Sequence, residues 1–189
     1  MGSGSRARPA WVYRAVGTVD EIELVLVVAE PGDPFHDESY NPESSPVEQI
    51  EKIGEFSFHA LKTTDQFNVN FRGVLADCWP GLPLYEQMRR TWKAESYLCS
   101  ARREGGSVPV ASWSVCGRDY LRPQLELLAD RAIVACGSNA RDRIRKLGFT
   151  RFLDVPALTP PGVNQPGARE KHRKIPEYLA ACNAKRGRG

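Results

Sequence analysis

The feature that most constrains this chain is the run Leu24-Val25-Leu26-Val27-Val28-Ala29, which ends abruptly in Glu30-Pro31-Gly32-Asp33-Pro34-Phe35-His36. Apolar, rich in β-branched residues and without alternation, it reads as a strand at about 22–29 that is buried on both faces, as in a parallel sheet covered by helices. Open sheets of that kind carry their sites at the carboxyl ends of the strands. The acids after the run therefore stand at a candidate catalytic edge. Pro, Gly and Asp also suit any passage from strand to loop, and that plain structural reading stays open beside the catalytic one.

The 189 residues are enough for one domain with a sizeable core, taken as 6–189. Met1-Gly2-Ser3-Gly4-Ser5 reads as a tag remnant outside the fold. No stretch approaches the roughly 18 consecutive apolar residues of a membrane span, and the N-terminus lacks the apolar centre of a secretory signal. A cytoplasmic monomer without membrane contact is expected. The five cysteines, Cys78, Cys99, Cys116, Cys136 and Cys182, are odd in number and form no CxxC pair, which points to buried thiols rather than disulfides or a zinc site.

Charge is unevenly spread. Between Asp20 and Glu55 eleven acids face one base, Lys52. Between Asn139 and Arg151 five bases (Arg141, Arg143, Arg145, Lys146 and Arg151) face one acid, Asp142, and between Arg169 and Arg188 seven bases face two acids. Two basic stretches in one small chain suit a polyanion such as nucleic acid, although a basic tail is also an ordinary solvated end.

The coarse pattern alternates strands with helices. A Pro/Asp/Ser-rich loop at 31–46 leads to a helix from Pro46, and the segment Phe67–Pro83 reads as irregular. A short helix Leu84–Trp92 precedes a strand Glu95–Ser100. A long helix from Pro109 to Ala129, kinked at Pro123, takes Val110, Trp113, Val115, Cys116, Tyr120, Leu121, Leu125, Leu127 and Leu128 as its apolar positions. Arg131–Cys136 is a strand, Ser138–Leu147 a helix closed by Gly148, and Phe152–Leu158 a last strand. A Pro/Gly-rich loop at 159–167 precedes a basic terminal helix. The sum is an α/β fold, a three-layer α/β/α sandwich on a short, mainly parallel sheet.

Several of these segments, taken in order, resemble the uracil-DNA glycosylase superfamily. Nearest is its bacterial and archaeal branch, whose first motif reads Gly-Glu-Ala-Pro-Gly. The firmest match is Cys116-Gly117-Arg118-Asp119-Tyr120-Leu121-Arg122-Pro123-Gln124-Leu125-Glu126-Leu127-Leu128, followed by Arg131-Ala132-Ile133-Val134-Ala135-Cys136-Gly137-Ser138-Asn139-Ala140. That stretch identifies scaffold more than chemistry. Ala29-Glu30-Pro31-Gly32 stands where the branch has its first motif, while Asp33-Pro34-Phe35-His36 is similar to the Asp-Pro-Tyr-His of the best-known family in the superfamily. The two registers nominate different catalytic carboxylates, Glu30 and Asp33. The resemblance further implies Phe35 as a stacking ring for an extruded base and His36 as a donor to it, though a loop histidine is commonly a surface residue.

The departures from the family bear on substrate. No Asn stands in Ala94-Glu95-Ser96-Tyr97-Leu98-Cys99-Ser100, where the family's base-reading Asn is expected, and aligning Cys99 with the family cysteine puts Glu95 near that place. A carboxylate only accepts hydrogen bonds, which favours the exocyclic amine of a cytosine-like base. The alternative is that Glu95 is an edge-strand acid paired with Lys93. In place of the family's His-Pro-Ser motif stands Leu158-Thr159-Pro160-Pro161-Gly162-Val163-Asn164-Gln165-Pro166-Gly167, which lacks the imidazole. Thr159, Asn164 and Gln165 are the candidate donors at the DNA, with Arg169, Lys171 and Arg173 as phosphate contacts. The branch commonly holds an iron–sulfur cluster on four cysteines. The first cysteine here is Cys78, well after the first motif, so two ligands are missing and no cofactor or metal is expected.

The expected function is a monofunctional DNA glycosylase that flips a damaged or modified base and hydrolyses its bond to deoxyribose. Removal of a modified cytosine, as in defence against phage, is favoured slightly over uracil repair. No Lys stands beside the first motif to form a Schiff base, so strand cleavage is not expected. A catalytically silent nucleic-acid-binding module is the alternative. An α/β hydrolase of the nucleophile-elbow kind or a nucleotide-binding protein is disfavoured by the absence of GxSxG and of GxxxxGK[ST].

Overall fold

The computed structural model describes residues 18–30, Ser45, Glu48, His59, 61–97 and 109–187. Among these residues four strands form one parallel sheet: β1 (Leu24–Val28), β2 (Thr91–Glu95), β3 (Ala132–Cys136) and β4 (Leu153–Val155), in the order β2-β1-β3-β4. Every residue of β1 and β3 is buried, as their unbroken apolar sequences require. The helices made up of described residues are α1 (Gln66–Cys78), α2 (Leu84–Arg89), α3 (Val110–Cys116), α4 (Arg122–Leu127), α5 (Ser138–Lys146), α6 (Ala168–His172) and α7 (Lys174–Arg186).

Side-chain alternation along the strands separates two cores. Leu24, Leu26, Val28, Val134 and Cys136 pack with Phe71, Val74 and Leu75 of α1 and Ile175, Leu179 and Cys182 of α7. Val25, Val27, Ile133 and Ala135 pack with Leu121, Leu125, Leu128, Ala140, Ile144 and Leu147. Helices therefore cover both faces of the sheet, and the α/β reading holds with a sheet that is wholly parallel. From β1 the chain passes to β2 on one side and then to β3 on the other, so the order reverses at β1. That reversal is where doubly wound sheets open a crevice at their carboxyl ends.

Four expected elements need correction. Phe67–Pro83 is largely helix: Asp65 caps α1 by accepting from Asn68 N at 3.0 Å, and Phe67, Phe71, Val74, Leu75 and Cys78 line one face at helical spacing. The strand expected at Glu95–Ser100 lies earlier, at Thr91–Glu95. The amides of Glu23 and Leu24 both donate to Arg90 O, which fixes β1 beside the end of α2 and starts β2 at Thr91. The last strand is three residues rather than Phe152–Leu158, because Pro156 lacks the N–H to continue the ladder.

The long helix is not a simple kink at Pro123. A π-helical turn, Gly117–Leu121, joins α3 to α4, and Pro123 sits in the first turn of α4. Proline offers no N–H to the carbonyl a turn behind it, and widening that turn is one way a helix accommodates the loss. Val110, Val115 and Leu127, expected on the apolar stripe, are exposed. The helix expected from Pro46 and the loop at 31–46 lie almost wholly outside the described residues.

Candidate functional site at the carboxyl edge of the sheet

Glu30 leaves the sheet two residues after β1, Ser96 follows β2 directly, and Gly137, at φ 98°, turns the chain from β3 into α5. Arg143 comes back to this edge from α5. It lies on the helix's apolar stripe with Ala140, Ile144 and Leu147, and its side chain is 9% exposed against 7% for that of Glu30. Arg143 Nη1 donates to Ala29 O at 2.7 Å, to Ser96 Oγ at 2.9 Å and to Glu30 Oε2 at 3.2 Å. Ser96 ties the two strand ends together, its Oγ donating to Ala29 O at 2.7 Å and its N to Val28 O at 2.8 Å. The Tyr97 ring lies 5.8 Å from the Arg143 guanidinium carbon, within cation–π range.

The basic stretch 139–151 is therefore not one phosphate-facing surface. Arg143 is buried in this cluster. Arg141 pairs with Asp142 at 2.8 Å and approaches Asp154 at 3.6 Å. Arg145, Lys146 and Arg151 are the exposed cations of the group. Counting charges hides this, whereas helical phase reveals it: an Arg at i+3 from Ala140 and one before Ile144 falls among core positions.

Glu95 closes β2 on the opposite face of the sheet, opposite Val28 in the register. Lys93 Nζ lies 2.9 Å from Glu95 Oε1 and 4.7 Å from the Phe67 ring centroid. The ion contact with Lys93 on an edge strand is what the structural reading of Glu95 expects. Glu30 and Glu95 thus share the carboxyl edge of two adjacent strands. Asp33, Phe35 and His36 lie outside the described residues.

The Pro-rich segment after β4 is held from two sides. Asn70 Nδ2 of α1 donates to Leu158 O at 2.6 Å, and His172 Nε2 of α6 lies 2.9 Å from Pro156 O. Its tip winds into a 3-10 turn, Gly162–Asn164. Gly162 passes so near Ala157 that a Cβ there would meet the Ala157 Cβ at 2.7 Å and its backbone N at 2.8 Å. Thr159 is half-buried, with its carbonyl accepting from Val163 N, while Asn164 and Gln165 are exposed, as are Arg169, Lys171 and Arg173.

Cys78, Cys116, Cys136 and Cys182 are free thiols, and Cys99 lies outside the described residues. Burial pushes the Cys136 thiol up to about 12, with the charges of Asp154 and Glu95 adding to it, and burial with the charge of Asp77 does the same for Cys78. Neither supplies a thiolate at neutral pH. Among the described residues no three His, Cys, Asp or Glu side chains gather as metal ligands, and no helix is long and apolar enough to cross a membrane. The chain matches no protein-family model and no curated protein sequence.

Proposed function

We propose that this protein is a monofunctional DNA glycosylase of the uracil-DNA glycosylase type, acting on a flipped base at the carboxyl edge of the sheet. The observation that carries the reading is Glu30, a carboxylate set at the strand-order reversal with one oxygen held by a buried arginine. Glycosidic hydrolysis builds positive charge on the sugar, and a fixed carboxylate beneath it stabilises that charge. The C1′–N bond breaks with its electron pair leaving on the base, and a water oxygen bonds to C1′. The water's proton passes through the carboxylate to solvent, and the base takes a proton from solvent.

The exposed Arg169, Lys171 and Arg173, with Asn164 and Gln165 on the stiff loop, suit contacts to the DNA backbone and the vacated gap. Glu95 as an acceptor favours a base with an exocyclic amine, a modified cytosine, and a role in defence against phage. Its contact with Lys93 favours the other reading, in which Glu95 is structural and uracil repair is equally served.

The experiment is a panel of duplex and single-stranded oligonucleotides carrying uracil, hypoxanthine and modified cytosines, treated with hot alkali to reveal abasic sites. Alkali-dependent cleavage of at least one base is expected, with Glu30→Gln slowing it by ~10²-fold or more while DNA binding persists. DNA binding without abasic sites on any member would support a silent binding module instead. Asp33→Asn, made in parallel, tests the second candidate carboxylate.

A further inference from the structure

Arg143 joins three chain segments at the strand-order reversal. It stands on the helix after β3, and its acceptors are Ala29 O and Glu30 Oε2 beyond β1 and Ser96 Oγ beyond β2. The two hydrogens of Nη1 are shared among three oxygens, and Ser96 Oγ passes its own hydrogen to Ala29 O. Among the described residues, Glu30 Oε1 accepts no hydrogen bond.

We propose that Arg143 is a positioning residue for Glu30. It holds Oε2 and so presents Oε1 as the acceptor that faces water or substrate. The functional half of this rests on the glycosylase reading above, and the geometric half does not. A guanidinium suits the task because its donors lie in a rigid plane and its charge is permanent, whereas an ammonium is a single mobile point charge. The same contacts explain how an arginine can be buried at all, since each of its neighbours at this edge is an acceptor.

The test uses Arg143→Gln and Arg143→Lys, each alone and combined with Glu30→Gln. In a crystal structure of Arg143→Gln, β1 and the Ser96 N to Val28 O bond are expected intact, with the Glu30 carboxylate displaced or in several rotamers. A carboxylate that keeps its place overturns the proposal whatever the protein's activity. In single-turnover abasic-site formation, Arg143→Gln should be ~10²-fold slower, the scale of a reacting group moved by about 1 Å, with DNA affinity little changed and Arg143→Lys intermediate. On the Glu30→Gln background the same change should add almost nothing, because both act through one carboxylate. Fully additive losses overturn the proposal. If Glu30→Gln runs at the parent rate, the reading of Glu30 fails instead, and the crystallographic arm still decides what Arg143 does. Should Arg143→Gln not fold, Arg143→Lys carries both arms.

Discussion

Lys93 sets its Nζ 2.9 Å from Oε1 of Glu95, two residues further along the same face of β2, where the side chains are 10% and 2% exposed. Neither Glu95 oxygen accepts a directed hydrogen bond among the described residues. The two are associated by charge and proximity, in a setting where an isolated charge is costly.

Glu95→Gln should therefore cost about 3–5 kcal/mol in urea unfolding, the scale for removing one partner of a buried pair, while Lys93→Met with Glu95→Leu should recover most of it. A Glu95→Gln variant as stable as the parent would show that the pair is not coupled. Base preference is a separate readout. Glu95→Asn should turn the ranking of cleaved bases towards uracil if Glu95 reads the base, and an unchanged ranking marks it as a structural acid.

Neutralising Arg169, Lys171 and Arg173 together should weaken binding to every DNA and flatten the dependence on salt, by about 0.9 in the log–log slope for each lost phosphate contact. The ranking of bases should stay as it was, since phosphate contacts carry no base information. Binding titrations at several salt concentrations check this, and an unchanged slope would remove these residues from the DNA interface.

Asp65→Ala removes the cap of α1 and should cost about 0.5–2 kcal/mol at neutral pH. Partial burial acts to raise the Asp65 pKa, but hydrogen bonds from Thr63 and from the Asn68 backbone and side chain outweigh it and hold the carboxyl below its ordinary value. A depressed folded-state pKa means stabilisation that is complete above the ordinary value of 3.8 and fades as the pH falls from there through the folded value. The gap in stability between parent and variant should accordingly narrow in acid, and a gap that widens would contradict the cap.

Gly162→Ala should destabilise by about 1–3 kcal/mol, the usual range for overpacking, because its new methyl meets the Cβ and backbone of Ala157, none of which is the end of a flexible side chain. Thermal unfolding of the variant checks it. A neutral result would mean that the loop has room to shift away from Ala157.

Sequence pattern reveals those parts of the fold whose residues are buried on every side. Leu24–Val28 and Ala132–Cys136 were legible because strands covered on both faces cannot be anything but apolar. Helix α1 was not, since Asn68 and Asn70 interrupt its stripe and its cap is made by a tertiary-independent but easily overlooked Asp65. β2 was displaced because Thr91, Lys93 and Glu95 on one face of an edge strand look like surface residues. At the site, Glu30 followed from its place after the strand. Arg143 did not, because the net charge of a segment carries no information about which way its helix turns each side chain, and this one faces the core with Ala140 and Ile144.

The π-helical turn at Gly117–Leu121 has a consequence for chain length. One turn there spends an extra residue, and around it the buried positions pass from Trp113 and Cys116, which cluster with Tyr97, to Leu121 and Leu125, which cover the sheet. A one-residue deletion inside 117–121 that rewinds it to an ordinary helix would keep the phase of both contact surfaces, but at a cost of about 3 kcal/mol for placing Pro123 within a continuous helix. An insertion at the same place has no second wide turn to absorb it, and would rotate Leu121, Leu125 and Leu128 off the sheet by about 100°.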